Sequence, residues 1–139
     1  MYYIIADKIG GYMKDFYEAV KARRSIYALG KEKALSNEKI LELVEFSVKH
    51  VPSAFNSQSA RVVILFGGES SKFWGITKDT LRKIVPAAAF SSTEEKINAF
   101  DSGAGTILFF EDQAIVDHLM ENFPLYKDNF PVWSLQSNG

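Results

Sequence analysis

The sequence contains no cysteine, which excludes several classes of site at once. Its 139 residues offer no disulfide, no thiolate ligand for a metal and no cysteine nucleophile. No apolar run reaches the roughly 18 residues of a membrane-spanning helix. Residues 1–8 lack the basic start and long apolar stretch of a secretory signal. These absences predict a cytoplasmic protein that does not interact with membranes.

An excess of either charge is also missing. The chain has 16 basic and 17 acidic residues and a net charge of -1, so we expect no nucleic-acid partner. Apolar residues make up 47% of the sequence and aromatic residues 14%, a composition typical of a globular chain with a buried core. The length is that of one domain, and we assign residues 1–139 to it.

Hydrophobic periodicity predicts helices and two apolar strands. Because both strands are continuous apolar runs, we expect them to be buried on both faces. Two strands are too few to serve five helices, which predicts more chain or a partner chain. Residues 1–10 are predicted to be a leader or short strand, and the tail from residue 123 to be irregular. The predicted helices are 12–23, 37–50, 71–85, 93–101 and 113–122, and the strands 61–66 and 106–110.

Several side chains are typical of helix ends. Ser36 is a candidate N-cap for the second helix, and Ser92 with Glu95 predicts a capping box for the fourth. Glu111 and Asp112 follow the second strand, where they could bind a metal, but capping of the next helix by Asp112 is the favoured role. No carboxylate pair, metal cluster or Ser-His-Asp arrangement stands out elsewhere.

A polar loop follows Pro52, which ends the second helix. Its short side chains include Ser53, Asn56 and Gln58. Because Asn and Gln each carry a donor and an acceptor, together they could read the edge of a planar heterocycle. The alternative is a surface loop that caps its own backbone, and composition alone favours that alternative.

A basic segment follows the first helix. Five basic residues and one acidic residue lie between Lys21 and Lys33, which indicates either an anion site or a solvated face. Arg23 and Arg24 could hold a phosphate or an electron-rich ring edge in their fork geometry. Flavin mononucleotide (FMN) suits this segment and the polar loop together, and a flavin would itself carry the chemistry that no side chain supplies.

Separate motifs, in the right order, resemble those of the FMN-dependent nitroreductases. Arg23-Arg24-Ser25 resembles the R-[RH]-S opening of that family, and Pro52-Ser53-x-x-Asn56-x-Gln58 resembles its P-S-x-x-N-x-Q loop. The strings at 23–30, 54–58, 105–113 and 122–126 are similar to the subgroup related to the yeast fatty-acid-repression protein. The resemblance runs from about Phe16 to the end of the chain.

The resemblance implies an α+β homodimer with two shared FMN sites. Its fold would be a three-layer sandwich with helices around a central, mainly antiparallel sheet. NADH or NADPH would reduce the flavin, and a nitroaromatic or quinone would then take the electrons in a ping-pong reaction. An arginine near the pyrimidine edge would stabilise the anionic reduced flavin. The implied FMN-binding residues are Arg23, Arg24, Ser25 and Tyr27 from one subunit, and Pro52, Ser53, Asn56 and Gln58 from the other.

Three departures from the family pattern accompany this resemblance. Tyr27 stands where the family often has Lys or Arg, which leaves less positive charge near the flavin. Residues 1–12 are expected to precede the family domain, and its C-terminal part to be absent. The alternative function is therefore a truncated, non-catalytic dimerisation or regulatory module without bound flavin.

Overall fold

A computed structural model describes residues 14–138, which divide into two compact units. The first unit comprises the described residues up to Lys39 together with Phe66–Thr106. The second comprises Ile40–Leu65 and the described chain from Ile107 onward. The predicted leader or strand at 1–10 and the first two residues of the predicted helix 12–23 lie outside the described residues.

Helices dominate the described chain, together with one pair of strands. The antiparallel pair and the surrounding helices make the fold α+β, as predicted. Short 3₁₀ turns lie at Ala54–Asn56, Ala87–Ala89 and Pro124–Tyr126. The elements are α1 (Phe16–Ala22), α2 (Asn37–His50), β1 (Ala60–Phe66), α3 (Gly68–Arg82), α4 (Phe90–Asp101), β2 (Gly105–Glu111), α5 (Gln113–Asn122) and α6 (Phe130–Asn138).

Strands β1 and β2 pair with each other in a two-stranded sheet. Just beyond their paired ends, the backbone N–H of Asp112 donates to the carbonyl of Ser59 at 2.8 Å, as antiparallel pairing requires. The prediction that both strands are buried on both faces is wrong for the described chain. Val63, Ile107 and Phe109 are exposed, because the described helices leave parts of the sheet uncovered.

Two predicted helix caps are confirmed. The Ser36 hydroxyl accepts the backbone N–H of Lys39 at 3.2 Å, at the start of α2. The Asp112 carboxylate accepts the backbone N–H of Ala114 at 3.2 Å, at the start of α5. Each bond satisfies an N–H group that has no acceptor within its own helix.

The predicted capping box at the fourth helix is wrong. Helix α4 begins at Phe90, before Ser92, because the 3₁₀ turn at Ala87–Ala89 leads directly into it. The Ser92 hydroxyl instead donates back to the carbonyl of Ala89 at 3.2 Å. Helix α3 likewise occupies Gly68–Arg82 and not 71–85, since the chain already turns after Gly67.

The prediction of an irregular tail is wrong over Phe130–Asn138, which forms α6. Pro131 was expected to break regular structure there. It occupies the first turn of α6, where its missing N–H would have no acceptor within the helix in any case.

The core of the first unit lies between α3 and α4. Phe90 and Ile97 of α4 are its buried apolar residues among those described. Trp74 of α3 packs against Phe100 with ring centroids 5.2 Å apart, and its indole N–H donates to the Thr106 hydroxyl at 2.9 Å. A polar tip satisfied in this way lets a large aromatic body be buried without an unpaired donor.

None of the helices in the described part of the chain combines the length and apolar character needed to cross a membrane.

Removing side-chain volume at Ile97 tests the assigned core. Ile97 is 4% exposed, whereas Ile76 on α3 is 60% exposed and provides a matched control. We expect Ile97→Ala to lower the free energy of unfolding by about 2–5 kcal/mol, since it leaves a cavity. Ile76→Ala should change it by less than about 0.5 kcal/mol. Urea unfolding measures both values, and equal losses would contradict the assignment of Ile97 to the core.

Candidate functional site

The basic segment begins where α1 ends. The backbone N–H of Arg23 donates to the carbonyl of Ala19 at 3.0 Å, and the chain then leaves the helix. The Arg24 guanidinium donates through Nη1 to the carbonyls of Lys21 and Arg23, at 2.8 Å each. These contacts hold Arg24 beside the negative end of the helix dipole.

Within residues 14–138, the Arg23 guanidinium makes no hydrogen bond or ion pair. The predicted contact residues of this segment, Arg23, Arg24, Ser25 and Tyr27, are all exposed. The segment therefore presents a guanidinium, a hydroxyl and an aromatic ring to its surroundings. This donor set is suited to a flat anionic ligand.

The polar loop in the second unit is a tight turn that bonds to itself. The backbone N–H of Asn56 donates to the carbonyl of Ser53, and that of Ser57 to the carbonyl of Ala54, both at 3.0 Å. The Ser53 hydroxyl accepts the backbone N–H of Gln58 at 3.0 Å. Ser53 thus plays the capping role of the alternative interpretation.

The amide side chains of this loop are differently placed. Asn56 and Gln58 are exposed, and within the described chain neither side-chain amide has a hydrogen-bond partner. Each amide keeps its donor and acceptor groups available for a ligand. Capping by Ser53 and recognition by Asn56 and Gln58 are therefore compatible in one loop.

Three residues of the loop have left-handed backbone angles. The φ values are 54° at Phe55, 53° at Asn56 and 52° at Gln58. Asn tolerates this region, but a phenylalanine there is uncommon. Such a conformation costs about 1–3 kcal/mol per residue and persists only where surrounding contacts impose it.

An aromatic cluster surrounds Phe55 on the side of the C-terminal residues. The Phe55 ring meets Phe130 edge-on at 4.9 Å and lies parallel to Trp133 at 6.2 Å. Phe123 and Tyr126 lie 5.6 Å and 5.9 Å from it. In the sequence these aromatic residues follow neither a helix nor a strand period, so sequence analysis did not predict that they would contact Phe55.

A hydroxyl–carboxylate network lies beside the loop, formed by Ser57, Ser59, Glu111 and Ser134. Ser59 and Ser134 are 0% and 1% exposed. The Ser59 hydroxyl donates to Glu111 Oε1 at 2.6 Å, and the Ser134 hydroxyl donates to the same oxygen. Ser57 Oγ lies 3.1 Å from Ser59 Oγ, which links the loop to this network.

No cluster of three potential metal ligands is found among residues 14–138. Glu111 accepts hydrogen bonds from buried serines, and the Asp112 carboxylate caps α5 and pairs with Arg61 at 2.9 Å. Both carboxylates therefore have structural roles, and the favoured role of Asp112 as the cap of α5 is confirmed.

The predicted site residues fall into two local groups. Arg23, Arg24, Ser25 and Tyr27 belong to the first unit, and Pro52, Ser53, Asn56 and Gln58 to the second. The turn brings the members of the second group together, whereas the first group is contiguous in sequence. Their assignment to FMN stays a prediction.

An apolar groove also lies in the second unit, between α2 and β1. Its volume is about 440 Å³. At its edge the Lys49 ammonium donates to the Glu45 carboxylate and lowers the pKa of that carboxyl. No predicted FMN-binding residue lines this groove, whose walls are formed by Leu41, Val44, Glu45, Val48, Lys49, Val62 and Ile64.

Comparison with known protein families shows to which family the chain belongs. The family model described as the nitroreductase family matches residues 20–139. The chain belongs to the nitroreductase family. The predicted resemblance is confirmed, and the match begins just before the Arg23-Arg24-Ser25 motif.

Two yeast relatives are similar over most of the chain. HBN1 of Saccharomyces cerevisiae is 32% identical over 126 residues, which cover 89% of this chain and 62% of HBN1. The nitroreductase FRM2 of the same organism is 28% identical over 127 residues, covering 90% of this chain and 63% of FRM2. The chain thus spans less than two thirds of the length of these relatives.

Solved structures show the same fold. The nitroreductase CinD from Lactococcus lactis, in complex with chloramphenicol, is 42% identical with a TM-score of 0.73. The match covers 90% of this chain and 62% of the CinD chain. The complex of CinD with 4-nitrophenol matches over the same shares, with 42% identity and a TM-score of 0.72. The predicted nitroreductase fold is therefore confirmed.

The buried network gives a prediction about Glu111. Replacing Glu111 by Ala removes the acceptor of two buried hydroxyls, so we expect the free energy of unfolding to fall by about 1–3 kcal/mol. Glu121→Ala, at an exposed position of α5, is the matched control and should have little effect. Chemical denaturation measures both, and unchanged stability in Glu111→Ala would show that the network does not stabilise the fold.

Proposed function

We propose that this protein is an FMN-dependent oxidoreductase that transfers electrons from NADH or NADPH to nitroaromatics or quinones by a ping-pong mechanism. Membership of the nitroreductase family supports oxidoreductase activity in general. The observation that carries the FMN assignment is the pair of exposed motif segments whose polar groups keep free bonding capacity. We further propose that two chains form a homodimer with shared FMN sites.

The basic segment suits the anionic part of the ligand. The Arg23 guanidinium can make two parallel charge-assisted hydrogen bonds to a phosphate or to the electron-rich edge of the ring. Arg24 adds positive charge beside it, and the Ser25 hydroxyl adds a donor. The exposed Tyr27 ring offers a flat surface on which an aromatic ligand can pack.

The polar loop suits the ring edge of the flavin. An isoalloxazine presents alternating carbonyl and N–H groups, which the amides of Asn56 and Gln58 can match. Pro52 and Ser53 are proposed to reach the flavin from the same loop, where the Ser53 hydroxyl also accepts the backbone N–H of Gln58. The flavin supplies the electron transfer when it is bound, so no catalytic side chain is required.

The proposed electron acceptors agree with the structural relatives. CinD is seen in complex with 4-nitrophenol, an aromatic nitro compound. A flat aromatic acceptor of this class is the kind of molecule that can stack on a flavin ring. This similarity supports a small nitroaromatic acceptor for the present chain.

Exposed apolar surface supports the homodimer. On α2, Leu41, Phe46 and Val48 are all exposed, and Val51 follows them at the end of the helix. Phe109 and Phe110 of β2 are exposed as well. Soluble monomers rarely leave contiguous apolar patches beyond a few hundred Å² uncovered, and a twofold interface is the commonest way to cover them.

Uptake of FMN tests the proposal as a whole. Purified protein, incubated with FMN and freed of unbound ligand, should retain the visible absorbance of a flavin. The loaded protein should oxidise NADH or NADPH faster when 4-nitrophenol is present. A colourless protein that takes up no FMN would contradict the proposal and favour a non-catalytic module.

Arg23 provides a sharper prediction. Arg23→Ala should weaken FMN binding by about 1.5–3 kcal/mol, the range for hydrogen bonds to charged groups. Arg23→Lys keeps the charge but loses the fork geometry, so its loss should be smaller. Fluorescence titration measures the affinities, with Lys96→Ala as a control for the loss of one positive charge. Equal affinity in wild type and Arg23→Ala would remove Arg23 from the site.

The dimer gives a separate prediction. If FMN sites are shared between subunits, dimerisation and FMN occupancy should rise together as the protein concentration increases. Light scattering reports the mass, and flavin absorbance reports the occupancy in the same samples. A stable monomer that binds FMN stoichiometrically would overturn the shared site.

A further inference from the structure

The backbone conformation at Phe55 is not one that a phenylalanine favours. Phe55 has φ 54° and ψ 24°, a left-handed conformation in which its side chain crowds the backbone. Gly or Asn would adopt it at lower cost. The hydrogen bonds within the turn and the contacts of the phenylalanine ring are available to compensate for the unfavourable backbone.

The ring of Phe55 has a defined place for that purpose. It lies against Phe130, which is fully buried, with centroids 4.9 Å apart and planes at 73°. On the side of Trp133 the planes differ by 7° at a centroid distance of 6.2 Å. Edge-on and parallel offset contacts are both favourable arrangements of aromatic rings. Phe55 is nevertheless 50% exposed, so it adds less to the core than a buried phenylalanine would.

The end of the loop is held by other contacts. Ser57 Oγ lies 3.1 Å from Ser59 Oγ, and Ser59 in turn donates to Glu111. Asn56 lies between these two points of attachment, directly after Phe55. Its side-chain direction therefore depends on the backbone angles that the Phe55 ring maintains.

We propose that Phe55 is a positioning residue for the flavin. Its ring, packed against Phe130 and Trp133, holds the loop in the left-handed conformation and so directs the amides of Asn56 and Gln58 toward the ligand. The proposal rests on the proposed function in that the ligand is FMN. The proposal gives Phe130 and Trp133 a role in cofactor binding although they need not contact the cofactor.

Two substitutions at Phe55 separate the ring from the backbone conformation. Phe55→Gly tolerates a positive φ but has no ring, whereas Phe55→Tyr keeps the ring and can place its hydroxyl in solvent. Hydrogen exchange of the Asn56 and Ser57 amides in the FMN-free protein reports the loop directly. Fluorescence titration with FMN reports the consequence for binding.

We expect Phe55→Gly to exchange these two amides faster and to bind FMN at least about tenfold more weakly. Phe55→Tyr should match wild type in both measurements. Trp133→Leu leaves the loop sequence intact and should also speed amide exchange and weaken FMN binding. It replaces Phe55→Gly as the test if that variant does not fold. Ile76→Ala, which removes a 60% exposed apolar side chain of α3, should leave loop exchange and FMN affinity unchanged.

A folded Phe55→Gly protein with wild-type FMN affinity would overturn the proposal, whether or not its loop exchanges faster. Exchange of the Asn56 and Ser57 amides at the wild-type rate in both Phe55→Gly and Trp133→Leu would also overturn the proposal, because the ring would then not hold the loop. Absence of FMN binding in wild type is a failure of the proposed function. The exchange data would then still show separately whether the ring fixes the loop.

Discussion

The packing of the Phe55 ring against Phe130 is the contact on which the candidate site depends most directly. Phe130 is fully buried in the second unit, and Phe55 lies in a backbone conformation that a phenylalanine rarely adopts. The ring contact compensates for that backbone, and the backbone sets where the next residues point. In this way a residue that need not contact the ligand determines the geometry of two that are proposed to do so. A loop imposed by packing is already arranged before a ligand arrives, which lowers the entropy lost on binding.

The buried hydroxyl–carboxylate network adds a second, polar constraint in the same unit. Ser59, Glu111 and Ser134 come from three segments far apart in sequence, and each hydrogen bond requires the other segment to be in place. Buried polar groups without partners are costly, so such a network favours one arrangement over near alternatives more strongly than apolar contacts do. The aromatic cluster and this network together attach α6 to the end of β2 and to the polar loop.

Family membership gives these local features a context. The chain belongs to the nitroreductase family, and the similar protein CinD is seen in complex with chloramphenicol and with 4-nitrophenol. Apolar side chains of α2 and the strands are exposed, and the dimer is proposed on that ground. Neither the arginine segment nor the polar loop contains a catalytic acid or base. In the proposed function a bound flavin would carry the chemistry, and the side chains would orient it.

The sequence by itself determined the features that depend on neighbours along the chain. The bounds of α2 and α5 and the caps at Ser36 and Asp112 follow from local periodicity and capping, and the motifs from Arg23 and Pro52 identified the family. Start positions at α3 and α4 were missed because a glycine turn and a 3₁₀ turn shifted them. Helix α6 was missed because Pro131 was expected to act as a breaker. Only the tertiary structure decided that Phe55 is left-handed and that distant aromatic residues surround it, because such contacts join residues with no periodic relation in sequence.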